Sequence, residues 1–284
     1  MKIVNQVDAL KTIIRQVKRE GKTVGFVPTM GYLHEGHLTL MRQAKAEQDL
    51  VVASIFVNPL QFGPNEDFAV YPRDLERDSL LAESAGVDIL FAPTVEEMYP
   101  EGHGNMLTSV DVSVITEGLC GASRPGHFQG VTTVVSKLFN IVEPDTAYFG
   151  QKDAQQVAVI KRMVKDLNMN LAIIAVPIVR ESDGLALSSR NVFLSDEERK
   201  AALVLNQSLQ LAGKMLATGC RHTADIRTAM TDLISKEPLA AVEYIAIIGA
   251  NDLKELETVV APLLIAIAVR IGKTRLIDNM VWEG

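Results

Sequence analysis

The sequence predicts an α/β protein: a parallel sheet with helices on both faces, then a smaller C-terminal α+β domain. Three observations carry this reading. Short apolar runs alternate with helix-period segments from residue 23 to residue 179, which is the pattern of strand–helix–strand units. Each of several runs ends in a polar or glycine-bearing turn, and an open parallel sheet binds ligands beyond the carboxyl ends of its strands. The alternation stops near residue 178 at the polar "RESDGLALSSRN". The expected domains are therefore 1–176 and 177–284.

The elements follow in order. "VDALKTIIRQVKREGK" has Val7, Leu10, Ile13, Ile14 and Val17 at helical spacing, and Gly21 stops it. "TVGFVPT" reads as a buried strand, "GHLTLMRQAKAEQD" as a helix and "LVVASIFVN" as the next strand. A loop leads to the helix "DLERDSLLAESAG" and the strand "VDILFAP". Residues 94–130 read as irregular and glycine-rich. "GVTTVVSKLFNIVEP" is a helix, "TAYFG" a strand, "AQQVAVIKRMVKDLN" a helix and "LAIIAVPIV" a strand. In the second domain, "SDEERKAALVLNQSLQLAGKMLATG" forms one helix, opened by Ser195 and Glu198 at capping-box spacing. "AAVEYIAIIGA" and "LLIAIAVRIGKTRLIDNM" are strand-like.

Composition narrows the function classes. The net charge of −7 over 284 residues argues against a broad nucleic-acid surface, which needs a basic excess. Cys120 and Cys220 form no C-x-x-C pair and read as small core residues or idle thiols in a reducing compartment. The N-terminus lacks a secretion signal. The longest apolar run, 259–269, is broken by Pro262 and falls short of the ~20 residues of a membrane helix. The expectation is a cytoplasmic protein with no nucleic-acid or membrane partner.

The chemistry concentrates in "GYLHEGHLTLM", where two of the five histidines stand at a strand-to-helix turn. H-E-G-H is one residue short of the H-E-x-x-H zinc pattern, and no third histidine ligand is apparent beyond the distant His103 and His127. A helix starting near Gly36 instead points N–H groups and a positive dipole end at an anion. Gly31 and Gly36 allow close backbone approach. His34 and His37, on one helix face, can both donate to phosphate oxygens and stabilise charge as an α-phosphate is attacked. The alternative reading is that both histidines only cap the helix start.

H-x-G-H after the first strand resembles the nucleotidylyltransferase superfamily. The wider set "PTMGYLHEGHL", "FVNPLQFGPNEDFAVYPR", "GASRPGHFQGV", "FGQKDAQQ" and "DGLALSSRN", with "RLIDN" near the end, resembles the pantothenate synthetase (pantoate–β-alanine ligase) family. The resemblance runs in order from about residue 23 to 192. It implies a Rossmann-like first domain, a lid-like second domain, a homodimer, and a reaction with ATP and Mg2+. In that reaction pantoate becomes a pantoyl-adenylate, which β-alanine converts to pantothenate and AMP.

The same resemblance implies roles. Met30, Gly31, Tyr32, Leu33, His34, Glu35, Gly36 and His37 lie along ATP, with His37 the main catalytic histidine and His34 binding the same charge. Gln61 contacts pantoate near the β-alanine position; its amide can read a hydroxyl and a carboxylate together. Asn58 joins the substrate residues or serves only as a turn residue before Pro59. In "GQKD", Gly150, Gln151, Lys152 and Asp153 meet ATP, with Lys152 a catalytic point charge on phosphate. Asp153 and Gln156 are also spaced as a capping box, while the family places Gln156 on pantoate. Val179 meets the adenine side. Leu187, Ser188, Ser189 and Arg190 match the family's mobile loop and would grip pyrophosphate, although by composition alone that loop reads as solvated. Gln151 and Leu187 stand where many members carry glutamate and methionine. Tyr71, Arg124 and His127 belong to family motifs without assigned roles, His103 and His222 read as surface residues, and the metal ligands are undetermined. Two rivals are another H-x-G-H adenylyltransferase acting on a cofactor precursor and a non-catalytic nucleotide-binding regulator.

Overall fold

The computed structural model describes residues 1–64, 66 and 68–284; Asn65 and Asp67 of the "FVNPLQFGPNEDFAVYPR" segment lie outside the described residues. The chain divides into two compact units, Met1–Gln151 with Val159–Pro177, and Lys152–Ala158 with Ile178–Gly284.

The first unit holds a six-stranded parallel sheet in the order β1-β4-β3-β2-β5-β6. Its strands are β1 (Lys2–Val4), β2 (Val24–Thr29), β3 (Leu50–Ile55), β4 (Ile89–Phe91), β5 (Thr146–Gly150) and β6 (Ala172–Val176). The helices between them are α1 (Val7–Arg19), α2 (Glu35–Glu47), α3 (Leu75–Ser84), α4 (Val95–Met98), α5 (Leu119–Ser123), α6 (His127–Val142) and α7 (Ala154–Asp166). The central strands are apolar on both faces because both faces are covered. Val27 and Val51 pack with Leu38 and Met41 of α2, while Phe26, on the opposite face, meets Phe139 of α6 edge-on at 6.4 Å.

From β2 the chain steps outward to β3 on one side, and later to β5 on the other. The carboxyl ends of β2 and β5 thus form a topological switch point, where open sheets bind ligands. Met30 to His37 leaves the end of β2, and β5 closes on Gly150, with Gln151 opening the next turn.

The second unit carries α8 (Asp196–Ala201), α9 (Leu203–Ala217) and α10 (Thr223–Ile234), and an antiparallel sheet of β7 (Ala240–Gly249), β8 (Leu263–Ile271) and β9 (Thr274–Trp282). Its core joins Leu205, Leu209 and Leu216 of α9 and Ile226 and Met230 of α10 to Ile265, Ile267 and Val269 of β8. Ser195 opens α8 with both halves of the expected capping box, Glu198 N–H donating to Ser195 Oγ at 3.2 Å and Ser195 N–H to Glu198 Oε2 at 2.9 Å.

Several details differ from the sequence reading. The single helix expected over 195–219 breaks at Ala202 into α8 and α9. The run from 263 to 280 folds back on itself at Gly272 and Lys273, with Gly272 at φ 56°. Helix α10 was not anticipated, and α6 begins at His127, three residues before the expected Gly130. Short α4 and α5 also punctuate the stretch expected to be irregular.

Candidate active site

The turn after β2 is bent by two consecutive left-handed residues, Gly31 at φ 85° and Tyr32 at φ 49°. A Cβ on Gly31 would lie 2.9 Å from Ile55 Cγ2 and 3.0 Å from Asp78 Oδ2, so glycine is required for space as well as conformation. Asp78, on α3 and 1% exposed, holds the bend. Its carboxylate accepts the N–H of Tyr32 at 2.6 Å and of Leu33 at 2.7 Å. Arg77 donates to Leu33 O at 2.9 Å, and its guanidinium lies 5.0 Å from the centre of the Tyr32 ring. Burial pushes the Asp78 carboxyl above its ordinary pKa, against the pull of these N–H groups and of Arg77.

This bend delivers His34 to the N-cap of α2. His34 Nδ1 accepts the N–H of Gly36 at 3.2 Å, and His37 Nδ1 accepts the N–H of His34 at 3.3 Å. The imidazoles are 4.1 Å apart at 35°. A nitrogen that accepts a hydrogen bond carries no proton, so the two contacts assign the ring proton of each histidine to Nε2. Capping therefore uses the Nδ1 edge of both rings. Each histidine satisfies a helix-start N–H through Nδ1 and carries its donor proton on Nε2. The Glu35 carboxylate pairs with Arg42 along the surface of α2.

After β3, Asn58 opens a 3₁₀ turn, Pro59–Gln61. Asn58 is 1% exposed, and its amide is fully engaged by protein. Oδ1 accepts Tyr99 Oη–H at 2.7 Å and Leu60 N–H at 3.3 Å; Nδ2 donates to Gly130 O at 3.1 Å and Gln61 Oε1 at 3.2 Å. Asn58, expected among the substrate ligands, thus acts on Gln61. The Gln61 Nε2 donates to Met30 Sδ at 3.1 Å, a weak acceptor. A Cβ on Gly130 would collide with Leu60 O and lie 2.7 Å from Gln61 N, so α6 packs directly against this turn.

The motif residues without assigned roles brace the same turn. His127 Nδ1 lies 2.8 Å from Gln61 O, and its Nε2 lies 2.9 Å from Arg124 Nη1. Arg124 can only donate, so the imidazole accepts at Nε2 and donates from Nδ1 to Gln61 O. Arg124 also grips Glu66 with two 2.6 Å bonds. Burial raises the Glu66 carboxyl pKa, but Arg124 outweighs it and the net direction is downward. Tyr71 is buried, with its ring edge-on to Phe62 at 5.9 Å.

In the second unit, Lys152 and Asp153 lie on a 3₁₀ turn before α7; Lys152 and Gln156 are half-buried and Asp153 is exposed. Val179 O accepts Leu187 N–H at 3.0 Å, and Ser188 Oγ accepts Arg190 N–H at 3.3 Å. Ser189 and Arg190 begin a further 3₁₀ turn, Ser189–Phe193. Lys152 and Ser188 line one hollow with Asn191 and Asp278.

The family model described as pantoate-beta-alanine ligase matches residues 2–281. The chain belongs to the pantoate–β-alanine ligase family. The pantothenate synthetase of Heliobacterium modesticaldum is 62% identical over 283 residues, covering 100% of both chains. That of Acetivibrio thermocellus is 57% identical over 283 residues, again covering 100% of both. Among solved structures, pantothenate synthetase from Thermus thermophilus superposes with a TM-score of 0.93 at 49% identity, covering 99% of each chain. The Francisella tularensis pantoate–β-alanine ligase, complexed with beta-gamma ATP and β-alanine, gives a TM-score of 0.81 at 36% identity over 99% of this chain and 97% of that one.

Within the family fold, the sequence reading overlooked Arg77, Asp78, Tyr99 and Glu66. Arg77, Asp78 and Tyr99 stand outside the family motifs, and Glu66 stands inside one as an unremarkable loop charge. Asp78 reads as an ordinary charge in the first turns of a surface helix, and only its burial marks it out. Among the described residues no group of three His, Cys, Asp or Glu is placed to hold a metal ion, and no helix is long and apolar enough to cross a membrane. Cys120 is buried and Cys220 half-buried, and neither is joined in a disulfide.

Proposed function

We propose that the protein condenses pantoate with β-alanine at the expense of ATP, giving pantothenate, AMP and pyrophosphate. The observation that carries this reading is the paired Nε2–H donors of His34 and His37 at a helix start on the sheet's switch point, in a chain of this family. Support for the substrates comes from the Francisella relative, whose complex holds an ATP form and β-alanine.

In the first step a pantoate carboxylate oxygen bonds to the α-phosphorus and the bond to pyrophosphate breaks. His37 and His34 stabilise the charge that builds on the α-phosphate oxygens, and Met30 to Leu33 and Val179 flank the nucleotide. Lys152, Ser188, Ser189 and Arg190 neutralise the departing pyrophosphate. Gln61 and Gln156 hold pantoate, with Asn58 acting through Gln61. In the second step the β-alanine amine attacks the acyl carbon, AMP leaves and the amine loses a proton. The division at 176/177, with residues 177–284 as a lid, belongs to the same proposal.

Magnesium fits as a partner of the triphosphate, since Mg2+ is usually held by phosphates and water and needs few protein ligands. Among the described residues no three-donor metal cluster stands ready to cage it. When bound with ATP it would neutralise phosphate charge. A homodimer and a cytoplasmic location complete the proposal.

The test is a substrate screen. Pyrophosphate release from ATP is measured with pantoate and with other small carboxylates, and AMP formation is then followed with β-alanine and other amines. Pantoate with β-alanine should give the highest kcat/KM. Preference for a phosphorylated precursor would favour another adenylyltransferase, and nucleotide binding without turnover would favour a regulator.

A further inference from the structure

The "RLIDN" motif near the C-terminus has no role in the reaction above, yet it leads to two of its parts. Asp278, on β9, is 3% exposed. Its carboxylate receives a bidentate pair from Arg180, at 2.6 and 2.9 Å, and Oδ1 also accepts the Asn279 N–H at 2.8 Å. The Asn279 side chain then donates from Nδ2 to the main-chain O of Lys152 at 2.9 Å. On the other side, Arg180 Nη1 reaches Gly184 O at 3.2 Å, residues 180 and 186 form a β-bridge, and Leu187 N–H closes on Val179 O. One buried carboxylate thus stands between the turn carrying Lys152 and the loop carrying Ser188, Ser189 and Arg190.

We propose that Asp278, with Arg180 and Asn279, is a positioning residue that sets Lys152 and the Ser188–Arg190 loop in register for the leaving pyrophosphate. The chemistry favours this assignment. A carboxylate this deeply buried is retained only when paired and hydrogen-bonded, and bidentate guanidinium pairing restrains direction as well as distance. Lys152 is a flexible point charge, so its reach depends on where its main chain is held. Lys152, Ser188 and Asp278 also border the same hollow.

The inference rests on the proposed role of Lys152, and the experiment separates the two. Two half-reactions are measured in the full-length protein: pantoate-dependent ATP–pyrophosphate exchange, and the conversion of synthetic pantoyl-adenylate plus β-alanine to pantothenate. Only the first involves pyrophosphate. Asp278→Asn should lower exchange about 100-fold, the scale of an ångström misplacement, and leave the second half-reaction within about twofold. Asn279→Ala, which spares the buried ion pair, should show the same split to a smaller extent. In a Lys152→Ala background, Asn279→Ala should lower exchange little further, because the two act as one unit. If Lys152→Ala retains full exchange, the role of Lys152 is wrong. If Lys152→Ala is impaired while Asp278→Asn and Asn279→Ala exchange normally, or lose both half-reactions equally, the positioning role is overturned.

Discussion

The main-chain N–H of His34 donates to Nδ1 of His37 at 3.3 Å, and this contact determines which edge of His37 carries the proton. Each ring caps the helix start on one edge and presents a donor on the other. The capping geometry is therefore compatible with the proposed catalytic role, because the two use different edges of each ring.

Replacing His37 separates the two edges. Asparagine can mimic Nδ1 and glutamine Nε2. His37→Ala should lower kcat by two to three orders of magnitude, about the loss of one oxyanion-type donor, and cost about 0.5–2 kcal/mol as a lost cap. His37→Asn should keep most of the stability and little of the activity; His37→Gln should do the reverse. Steady-state kinetics beside thermal melts decides, and equal effects of Asn and Gln would refute the division of edges.

Asp78→Asn replaces one of the two acceptor oxygens that hold the bend at Tyr32 and Leu33. One buried N–H then lacks a partner, at a cost of about 1–3 kcal/mol. The KM for ATP should rise while pantoate use changes less. An unchanged KM for ATP would show that the bend holds without this carboxylate.

The same carboxyl predicts a pH trend. Burial holds its folded pKa above the unfolded value. Its contribution to stability is therefore fullest below the unfolded pKa, about 3.9, and declines as pH rises through the folded value. The amide introduced by Asp78→Asn does not titrate, so the Tm of the wild type should fall relative to that variant as pH rises from about 3 toward neutrality. The opposite slope would mean that the paired N–H groups, not burial, dominate.

Gly130→Ala should displace the turn carrying Gln61, because the new methyl meets Leu60 O and lies 2.7 Å from Gln61 N. Overpacking of this kind costs about 1–3 kcal/mol. Pantoate KM should rise more than ATP KM. Urea unfolding and separate titrations of the two substrates would reveal a purely structural effect as equal changes in both.

Asn58→Ala should impair pantoate use although Asn58 meets only protein. Its effect should be non-additive with Gln61→Ala, since Asn58 Nδ2 holds Gln61 Oε1. Additive losses in kcat/KM for pantoate would give Asn58 an independent contact.

The parallel sheet was legible because strands buried on both faces read as unbroken apolar runs, and α2 and α7 because their turns follow such runs. Helix α10 escaped notice because its buried positions, Ile226, Met230 and Ile234, are separated by threonines and charges. The hairpin of β8 and β9 escaped because two residues suffice to reverse the chain. The histidine motif, Gln61 and the Ser188–Arg190 loop could be named from local motifs. Asp78, Tyr99 and the link from Asn279 to Lys152 could not, since they join residues 41 to 127 positions apart.

By itself the sequence determined the α/β architecture, the family and the groups suited to phosphate and amide chemistry, because periodicity and turn motifs are local properties of the chain. Only the tertiary structure decided how those groups are set: which imidazole nitrogen accepts, that Asn58 holds the Gln61 amide, that the buried Asp78 carboxylate holds the histidine bend, and that the Asn279 amide reaches the main chain of Lys152. Tautomer, burial and hydrogen-bond direction depend on neighbours brought in from elsewhere in the chain, and these become neighbours only when the core closes.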